Sequence, residues 1–369
     1  MKIVKIHARE LHMKLIAPFE TSFGVTQLRR ILLVELITDR ATGWGELTAA
    51  EAPYYNSETT DTAWLVLRNY LAPALVGMEF EDPDELSEKM RFVRGHEMAK
   101  ATLETAAWDA AAKAKNVSLS TLLGGQRREI ISGVSLSIYA DTEKLLQKIA
   151  QELAAGYQRI KLKIKPGKDV EVVKTVRAHY PDIHLTVDAN SAYTLADLPL
   201  LKKLDEFNLD YIEQPLQWNE IYQHAQLQKA LETDLCLDEC VHNLRDVEAA
   251  IHLGACRVIN IKLGRVSGHS ESRRIQAYCQ SEGIAVWSGG MLEAGIGRAH
   301  NIAMSSQAGF VYPGDVSASA RYWTRDIVHP EITATASGTI SVPTAPGIGY
   351  EIDRATIDEF TVAEQVWEL

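Results

Sequence analysis

Charged residues recur at a fixed spacing in the second half of this 369-residue chain, each at the end of a short apolar run. The runs end at Lys163, Asp188, Glu213, Asp238 and Lys262, so successive steps are 25, 25, 25 and 24 residues. Each step fits one strand followed by one helix. In a barrel of parallel strands the C-terminal ends of the strands meet at one mouth, so these five charged groups are predicted to surround one pocket.

The region from 126 to 340 alternates short buried-strand patterns with helical segments. The predicted strands are residues 133–138, 160–164, 184–187, 209–212, 235–237, 258–263 and 284–287, with an eighth near 310–311. Seven or eight such units predict an α/β fold with a modified (β/α) TIM-type barrel, and a doubly wound sheet is the alternative.

The first 125 residues follow a different pattern. Residues 1 to about 50 have strand character, and residues 57 to about 115 have helix character. Gly124 and Gly125 then interrupt the chain, so a domain boundary is predicted near residue 125. The segment 341–369 does not fit the repeat and is predicted to return to the first domain.

Three of the strand-end groups are carboxylates from consecutive units: Asp188, Glu213 and Asp238. A single acid at this position is more often the N-cap of the following helix. Three on adjacent strands repel one another unless a cation lies between them. Ligation by oxygen alone, with room for water and substrate, favours Mg²⁺ over Zn²⁺.

Lysines precede and follow the carboxylates. Lys161 and Lys163 are two residues apart, so their side chains are predicted to share one face of a strand. Lys163 and Lys262 are predicted to flank the substrate on opposite faces. A neutral lysine is a good base, but its usual pKa of about 10.4 must be lowered. Crowding by Lys161 and a nearby metal ion is expected to do this.

Charge and hydropathy narrow the function class. With 38 basic and 49 acidic residues the net charge is −11, which argues against a nucleic acid or an anionic membrane as the main partner. The sequence contains no secretory signal pattern and no apolar run of about 18 residues. The protein is expected to be cytoplasmic, and a small-molecule carboxylate substrate and a homo-oligomeric state are further expectations that charge and hydropathy leave open.

The motifs KLK (161–163), VDAN (187–190), IEQP (212–215), LDE (237–239) and NIKLGRVSG (260–268) resemble those of the enolase superfamily, muconate-lactonizing-enzyme subgroup. Within it the chain is most similar to the o-succinylbenzoate synthase and N-acylamino acid racemase family, over essentially its whole length. The segments PFETSFG (18–24), AWDAAAK (107–113) and SGGMLEAGIGRAHN (288–301) agree. Leu263-Gly264 departs from the Pro-Gly of many relatives.

This resemblance implies an α+β capping domain over the barrel, with two mobile loops that close the site. It implies that Asp188, Glu213 and Asp238 bind Mg²⁺, with Mn²⁺ as a substitute, and that Lys163 and Lys262 are the catalytic lysines, with Lys161 beside them. The implied reaction is a dehydration that forms o-succinylbenzoate in menaquinone synthesis, through α-proton abstraction and a metal-stabilised enediolate.

Racemisation of N-succinylamino acids in the same active site is the close alternative, which the sequence alone does not separate. Dipeptide epimerase and muconate cycloisomerase fit the lid segments less well. A Schiff-base lyase, which uses a barrel lysine to attack a carbonyl, leaves the three aligned carboxylates unexplained. Nothing in the sequence recommends a non-catalytic binding protein.

Further candidates lie around the predicted mouth. Asn190 and Glu239, close to carboxylate ligands, are predicted to orient a ligand or a lysine. Aromatic residues near the N-terminus, with the loop 52–55, are predicted to form an apolar lid. The predicted substrate-binding residues are Ser135, Phe19, Phe23, Gly290 and Met291.

Overall fold

The computed structural model describes all 369 residues, Met1 to Leu369, and contains two main sheets. The strands are β1 (Ile3–Glu20), β2 (Val25–Thr38), β3 (Thr42–Glu46), β4 (Glu129–Ile131), β5 (Val134–Leu136), β6 (Arg159–Lys163), β7 (His184–Asp188), β8 (Ile212–Glu213), β9 (Leu235–Leu237), β10 (Val258–Ile261), β11 (Ala285–Ser288), β12 (Val328–His329), β13 (Thr339–Ser341), β14 (Glu351–Ile352) and β15 (Thr361–Glu368).

Helices cover both sheets. The α-helices are α1 (Thr60–Val66), α2 (Ala72–Leu75), α3 (Asp84–Lys89), α4 (Glu97–Ala114), α5 (Leu119–Leu122), α6 (Thr142–Ala154), α7 (Val170–His179), α8 (Leu198–Leu201), α9 (Ile221–Ala230), α10 (Leu244–Leu253), α11 (His269–Ser281), α12 (Gly295–Ser305) and α13 (Arg354–Phe360). Residues Leu67–Leu71 form a π-helical turn between α1 and α2.

The N-terminal sheet is antiparallel, with strand order β15-β1-β2-β3. The C-terminal strand β15 pairs with β1, so that Trp367 lies opposite Ile6. Helix α4 packs closely against β3, where a side chain on Gly43 or Gly45 would overlap backbone carbonyls of the helix. This sheet and its helices form the capping domain.

The second sheet is parallel and curled, with strands in the order β11-β10-β9-β8-β7-β6-β5. Each strand sits where the sequence predicts one, and helices α6 to α12 follow along the chain. The predicted fold class, a modified barrel of the (β/α) type with an α+β capping domain, is confirmed.

The predicted eighth barrel strand near residue 310 is wrong as a regular strand. Phe310 makes one parallel bridge to Val286 on β11, and Gly314 makes another to Ser132, just before β5. Pro313 lies between them and has no N–H to continue a ladder. The segment therefore spans the gap between β11 and β5 through isolated bridges.

None of the helices has the length and apolar character that crossing a membrane requires.

Candidate active site

Parallel pairing of the barrel strands aligns the charged residues predicted from the sequence. Lys163 on β6 lies opposite Asp188 on β7, which lies opposite Glu213 on β8. Asp238 and Lys262 directly follow the ends of β9 and β10. All five therefore lie at the C-terminal mouth of the barrel, where barrel enzymes hold their reacting groups.

The three carboxylates converge at the centre of this mouth. One oxygen from each of Asp188, Glu213 and Asp238 lies within 4.8 Å of the other two, and all three residues are buried. A hard divalent cation prefers such an oxygen-only set. The site is thus able to hold a metal ion.

Lys163 and a neighbouring amide contact one end of this carboxylate group. Its Nζ donates to Asp188 Oδ2 at 2.5 Å and to Asn190 Oδ1 at 2.8 Å. Burial raises the pKa of Asp188, but the charges of Lys163 and Lys161 outweigh burial and hold it below the usual range. Asp188 is therefore ionised at neutral pH.

Lys161 is enclosed by carboxylates. Its Nζ donates to Glu213 Oε2 at 2.8 Å and lies 2.7 Å from Asp315 Oδ2. Burial lowers the pKa of Lys161, but Asp315 and Glu213 more than reverse this and place it above the usual range. The Trp287 ring lies 4.7 Å from the same Nζ. Lys161 is therefore a fixed cation rather than a base.

Lys262 contacts the opposite end of the carboxylate group. Its Nζ donates to Asp238 Oδ2 at 2.7 Å and to the Tyr55 hydroxyl at 3.1 Å. Burial lowers the pKa of Lys262, but the contact with Tyr55 and the charge of Glu213 more than reverse this, so it lies above the usual range. The protein's own side chains thus do not produce the lowered pKa predicted for a base at this position.

Tyr55 and Arg265 complete the Lys262 end of the site. The Tyr55 hydroxyl donates to Asp238 Oδ1 at 2.9 Å and accepts from Arg265 at 3.1 Å. Arg265 also donates to Asp238 Oδ1 and, at 2.6 Å, to the Val241 carbonyl. Since Arg265 is fully buried, its charge is compensated within the site.

Asn190 and Glu239 form a second layer behind the carboxylates. Asn190 Nδ2 donates to Glu239 Oε1 at 3.0 Å, and the Asn190 backbone N–H donates to Asp188 Oδ1 at 2.9 Å. Burial, followed by the Asp188 charge, raises the pKa of Glu239 to about 7. Asn190 therefore links Lys163, Asp188 and Glu239 in one network.

The predicted substrate residues lie at different depths in the structure. Ser135 on β5 lies opposite Lys161 and is buried, and its hydroxyl has no protein partner. Phe19 is half-buried, and Phe23 is exposed with its ring centroid 6.4 Å from that of Tyr55. Gly290 is backed by the Asp315 carbonyl, because an added Cβ would lie 2.6 Å from that oxygen.

Met291, the fifth predicted substrate residue, is half-buried and packs against the apolar core of the capping domain. A cavity of about 340 Å³ opens beside the second layer, lined by Tyr54, Tyr55, Trp218 and Glu239 among others. A cavity of this volume is large enough for a small organic substrate.

Sequence reasoning missed several residues of this centre. Tyr55 was predicted only as part of an apolar lid, and Arg265 was considered only as part of a loop. Asp315 follows the irregular eighth barrel segment, as the other acids follow their strands. This position could have identified Asp315 as a candidate from the sequence. Asn260, which donates to Glu213 Oε1 at 2.7 Å, lies two residues before Lys262 on β10.

Comparison with known proteins covers the whole chain. Residues 3–124 match the family model "Mandelate racemase / muconate lactonizing enzyme, N-terminal domain", and residues 144–356 match "Enolase C-terminal domain-like". A protein of Geobacillus kaustophilus named o-succinylbenzoate synthase is 49% identical over 96% of this chain and 94% of its own length.

Two further relatives are similarly close. A protein of Thermus thermophilus named N-succinylamino acid racemase is 45% identical over 98% of both chains. A solved structure of an enolase superfamily member from Listeria innocua superposes with a TM-score of 0.97 at 42% identity, covering 100% of this chain and 99% of that one.

Proposed function

Since the chain belongs to the enolase superfamily, in its mandelate racemase and muconate lactonizing enzyme family, we propose that it is an o-succinylbenzoate synthase. The proposed reaction is the dehydration of a succinyl-hydroxycyclohexadiene carboxylate. One observation carries the α-proton chemistry of the proposal: two lysine amines approach a central carboxylate group from opposite ends, through Asp188 and Asp238. Identities of 42–49% to curated synthases over nearly the full length support it.

The proposed cofactor is Mg²⁺, with Mn²⁺ as a substitute, held by Asp188, Glu213 and Asp238. The donor set fits because it consists of carboxylate oxygens within 4.8 Å of one another. When bound, the ion supplies fixed positive charge next to the substrate carboxylate. Asn190 and Asn260 each hold one ligand oxygen by donating to Asp188 and Glu213.

Lys163 is the proposed base. Its neutral amine takes the proton from the carbon beside the substrate carboxylate, and negative charge then develops on the carboxylate oxygens. The C–O bond to the hydroxyl breaks next, and the same proton passes from Lys163 Nζ to the departing oxygen, which leaves as water. Lys163 returns to its neutral form, so the step is balanced without another reactant.

Lys161 and Lys262 are the proposed cations of the site. In the metal-free protein both have a pKa above the usual range, because contacts with Asp315 and Glu213 for Lys161, and with Tyr55 and Glu213 for Lys262, outweigh the effect of burial. Positive charge held in place before the reaction stabilises the negative charge that develops during it. Phe19, Phe23 and Tyr55 are proposed to exclude water once substrate is bound.

Racemisation of N-succinylamino acids is the second candidate, in the same pocket. The opposed lysines favour it, because inversion requires proton removal on one face and delivery on the other. In that reaction Lys262 exchanges a proton as well, and its charged form is the donor.

The test compares both reactions in one preparation. Purified protein with Mg²⁺ is given the synthase substrate and, in parallel, N-succinylamino acids in deuterated water. We expect dehydration with the higher kcat/KM, and its loss when a chelator is added. Turnover that survives chelation but is trapped by borohydride would instead indicate a Schiff-base enzyme.

The size of the assembly in solution is a separate question. The predicted homo-oligomer stays a prediction, and light scattering of the purified protein measures it.

A further inference from the structure

Helices α11 and α12 of the barrel begin without a side-chain cap of their own, as α8 and α9 also do. Helix α12 has Ala294 at the N-cap, and helix α11 has Gly268 there, with φ +105°. By contrast α6, α7 and α10 are capped by Asp141, Asp169 and Asn243 from their own sequence. Uncapped backbone N–H groups at a buried helix start need another acceptor.

The capping domain supplies the acceptor for α12. Glu46, the last residue of β3, accepts the Ala294 N–H at one carboxylate oxygen and the Gly297 N–H at the other, both at 2.7 Å. Glu46 is only 6% exposed. A residue about 250 positions away in the sequence therefore caps this helix.

The capping domain also supplies the acceptor for α11. Glu104 on α4 accepts the His269 N–H at 2.9 Å and the Ser270 N–H at 2.8 Å. Trp108 donates to the same carboxylate at 2.7 Å, and the group is fully buried. A side chain on Gly268 would overlap the Glu104 carboxylate, so the helix start lies directly on it.

These two helices follow the strands that form the Lys262 end of the site. The loop from Lys262 to α11 also contacts the capping domain at Gly264, which packs on Thr48, and at Ser267, which donates to Glu97. The turn from β11 to α12 contains Gly289, where a Cβ would lie 2.6 Å from Lys262 Cε. The loop that follows Lys262 and the helix that follows the Gly289 turn are therefore both held from the other domain.

We propose that Glu46 and Glu104 are positioning residues that set Lys262 against the substrate by capping α12 and α11 across the domain boundary. The proposal rests on the proton chemistry proposed above, since it concerns one of the two lysines of that site. It assigns the capping domain a role beyond that of a lid. Neither carboxylate contacts the reacting atoms.

The test measures the two faces of the site separately. N-succinyl-L- and N-succinyl-D-phenylalanine are incubated in deuterated water, and deuterium at Cα of the recovered enantiomer is followed by mass spectrometry. Lys163→Ala and Lys262→Ala show which enantiomer presents its proton to which lysine. The ratio of the two exchange rates then reports on Lys262 relative to Lys163.

Glu46→Gln and Glu104→Gln are the diagnostic variants, because an amide places an N–H donor where a backbone N–H needs an acceptor. We expect exchange at the Lys262 face to fall about 10-fold more than exchange at the Lys163 face, as misplacement of a reacting group does. Asp169→Asn is the matched control, a buried carboxylate that caps α7 within the barrel. In this variant, exchange at the Lys262 face is not expected to fall relative to exchange at the Lys163 face.

A double variant separates positioning from helix stability. Ala294 has extended backbone, φ −76° and ψ −175°, which suits a serine N-cap. Glu46→Gln combined with Ala294→Ser is expected to recover Tm while the exchange ratio stays low. An unchanged ratio in folded Glu46→Gln and Glu104→Gln, or a ratio that recovers together with Tm, would overturn the proposal.

Glu46→Asp and Glu104→Asp replace the amide variants in the same measurement if either amide variant fails to fold. Each retains an acceptor but shortens its reach, so the same shift in ratio is expected with a smaller loss of Tm. Should the wild-type protein neither exchange these compounds nor dehydrate the synthase substrate, the proposed function fails. An active wild type with unchanged ratios refutes only the positioning role.

Discussion

The two lysine ends of the site are supported in different ways. At the Lys163 end, Asn190 and Asp188 come from the barrel itself, and helix α7 is capped by Asp169 from the same domain. At the Lys262 end, the contacts cross between domains, through Tyr55 to the amine and through Glu46 to helix α12. One half of the site is internal to the barrel, and the other half is shared.

Capping-domain contacts exist at the Lys163 end, but they are near the surface. Lys165 pairs with Glu20 at 3.2 Å, and these side chains are 35% and 39% exposed. Ser22 donates to the Asn190 carbonyl at 3.1 Å. Contacts between partly exposed side chains form and break at little cost, whereas the hydrogen bonds to the buried carboxylates at the Lys262 end are costly to break. We infer that movement of the β1–β2 hairpin, whose tip lies between Glu20 and Val25, changes access to Lys163 but not its placement.

Replacing the lysine of the internal half should have the largest effect. Lys163→Ala removes the proposed base, and turnover of the synthase substrate is expected to fall by more than about 10³-fold. Steady-state kinetics with a circular dichroism check of folding measures this. Lys165→Ala, two residues away and partly exposed, serves as the control. Near-wild-type turnover of Lys163→Ala would mean that the base does not lie in the internal half.

Metal binding should depend on residues of both halves, since the carboxylates lie between the lysines. Saturating Mg²⁺ is expected to raise Tm, because a ligand at 100 times its Kd adds about 2.7 kcal/mol of stability. Asp238→Asn should abolish most of this rise. Asp246→Asn, an acid at the start of α10 outside the carboxylate group, is the control. An equal rise in Asp238→Asn and wild type would place the ion elsewhere.

Removing the Tyr55 hydroxyl should lower the proton exchange of the shared half more than that of the internal half. In Tyr55→Phe the bonds to Asp238, Lys262 and Arg265 are lost, at a cost of about 1–2 kcal/mol, or about 10-fold in rate. The α-proton exchange at the Lys262 face should fall more than that at the Lys163 face. Tyr70→Phe, at an exposed position in the capping domain away from the site, is the matched control. Equal losses at both faces would contradict a difference between the halves.

The barrel lysines and carboxylates of both halves could be predicted from sequence because they follow one repeat, which also includes Asp238 and Lys262. Strand ends in a parallel barrel meet, so the spacing of Lys163, Asp188 and Glu213 was enough to bring them together. The strand positions were also predictable, since buried parallel strands are short apolar runs.

The other residues that build the site could not be predicted in the same way. No local pattern indicates that Glu46 caps a helix beginning at residue 295, because the pairing depends on how two domains dock. Tyr55 is aromatic and lies in a loop, which suggests a lid, and its hydroxyl contacts appear only in the fold. The irregular barrel segment carrying Asp315 also lacks the strand periodicity that identifies the others.

The smallest expected effect concerns the exposed pair between the hairpin and the barrel. Glu20→Gln removes the charge that pairs with Lys165, and exposed pairs contribute about 0–1 kcal/mol. If the hairpin controls access only, KM for the synthase substrate should rise less than about 5-fold while kcat and the exchange ratio stay constant, and added salt should reduce the difference from wild type. Lys14→Gln, on β1 away from the tip, is the control. A change in the exchange ratio would mean that the hairpin also positions Lys163, and the two halves would then depend on the capping domain alike.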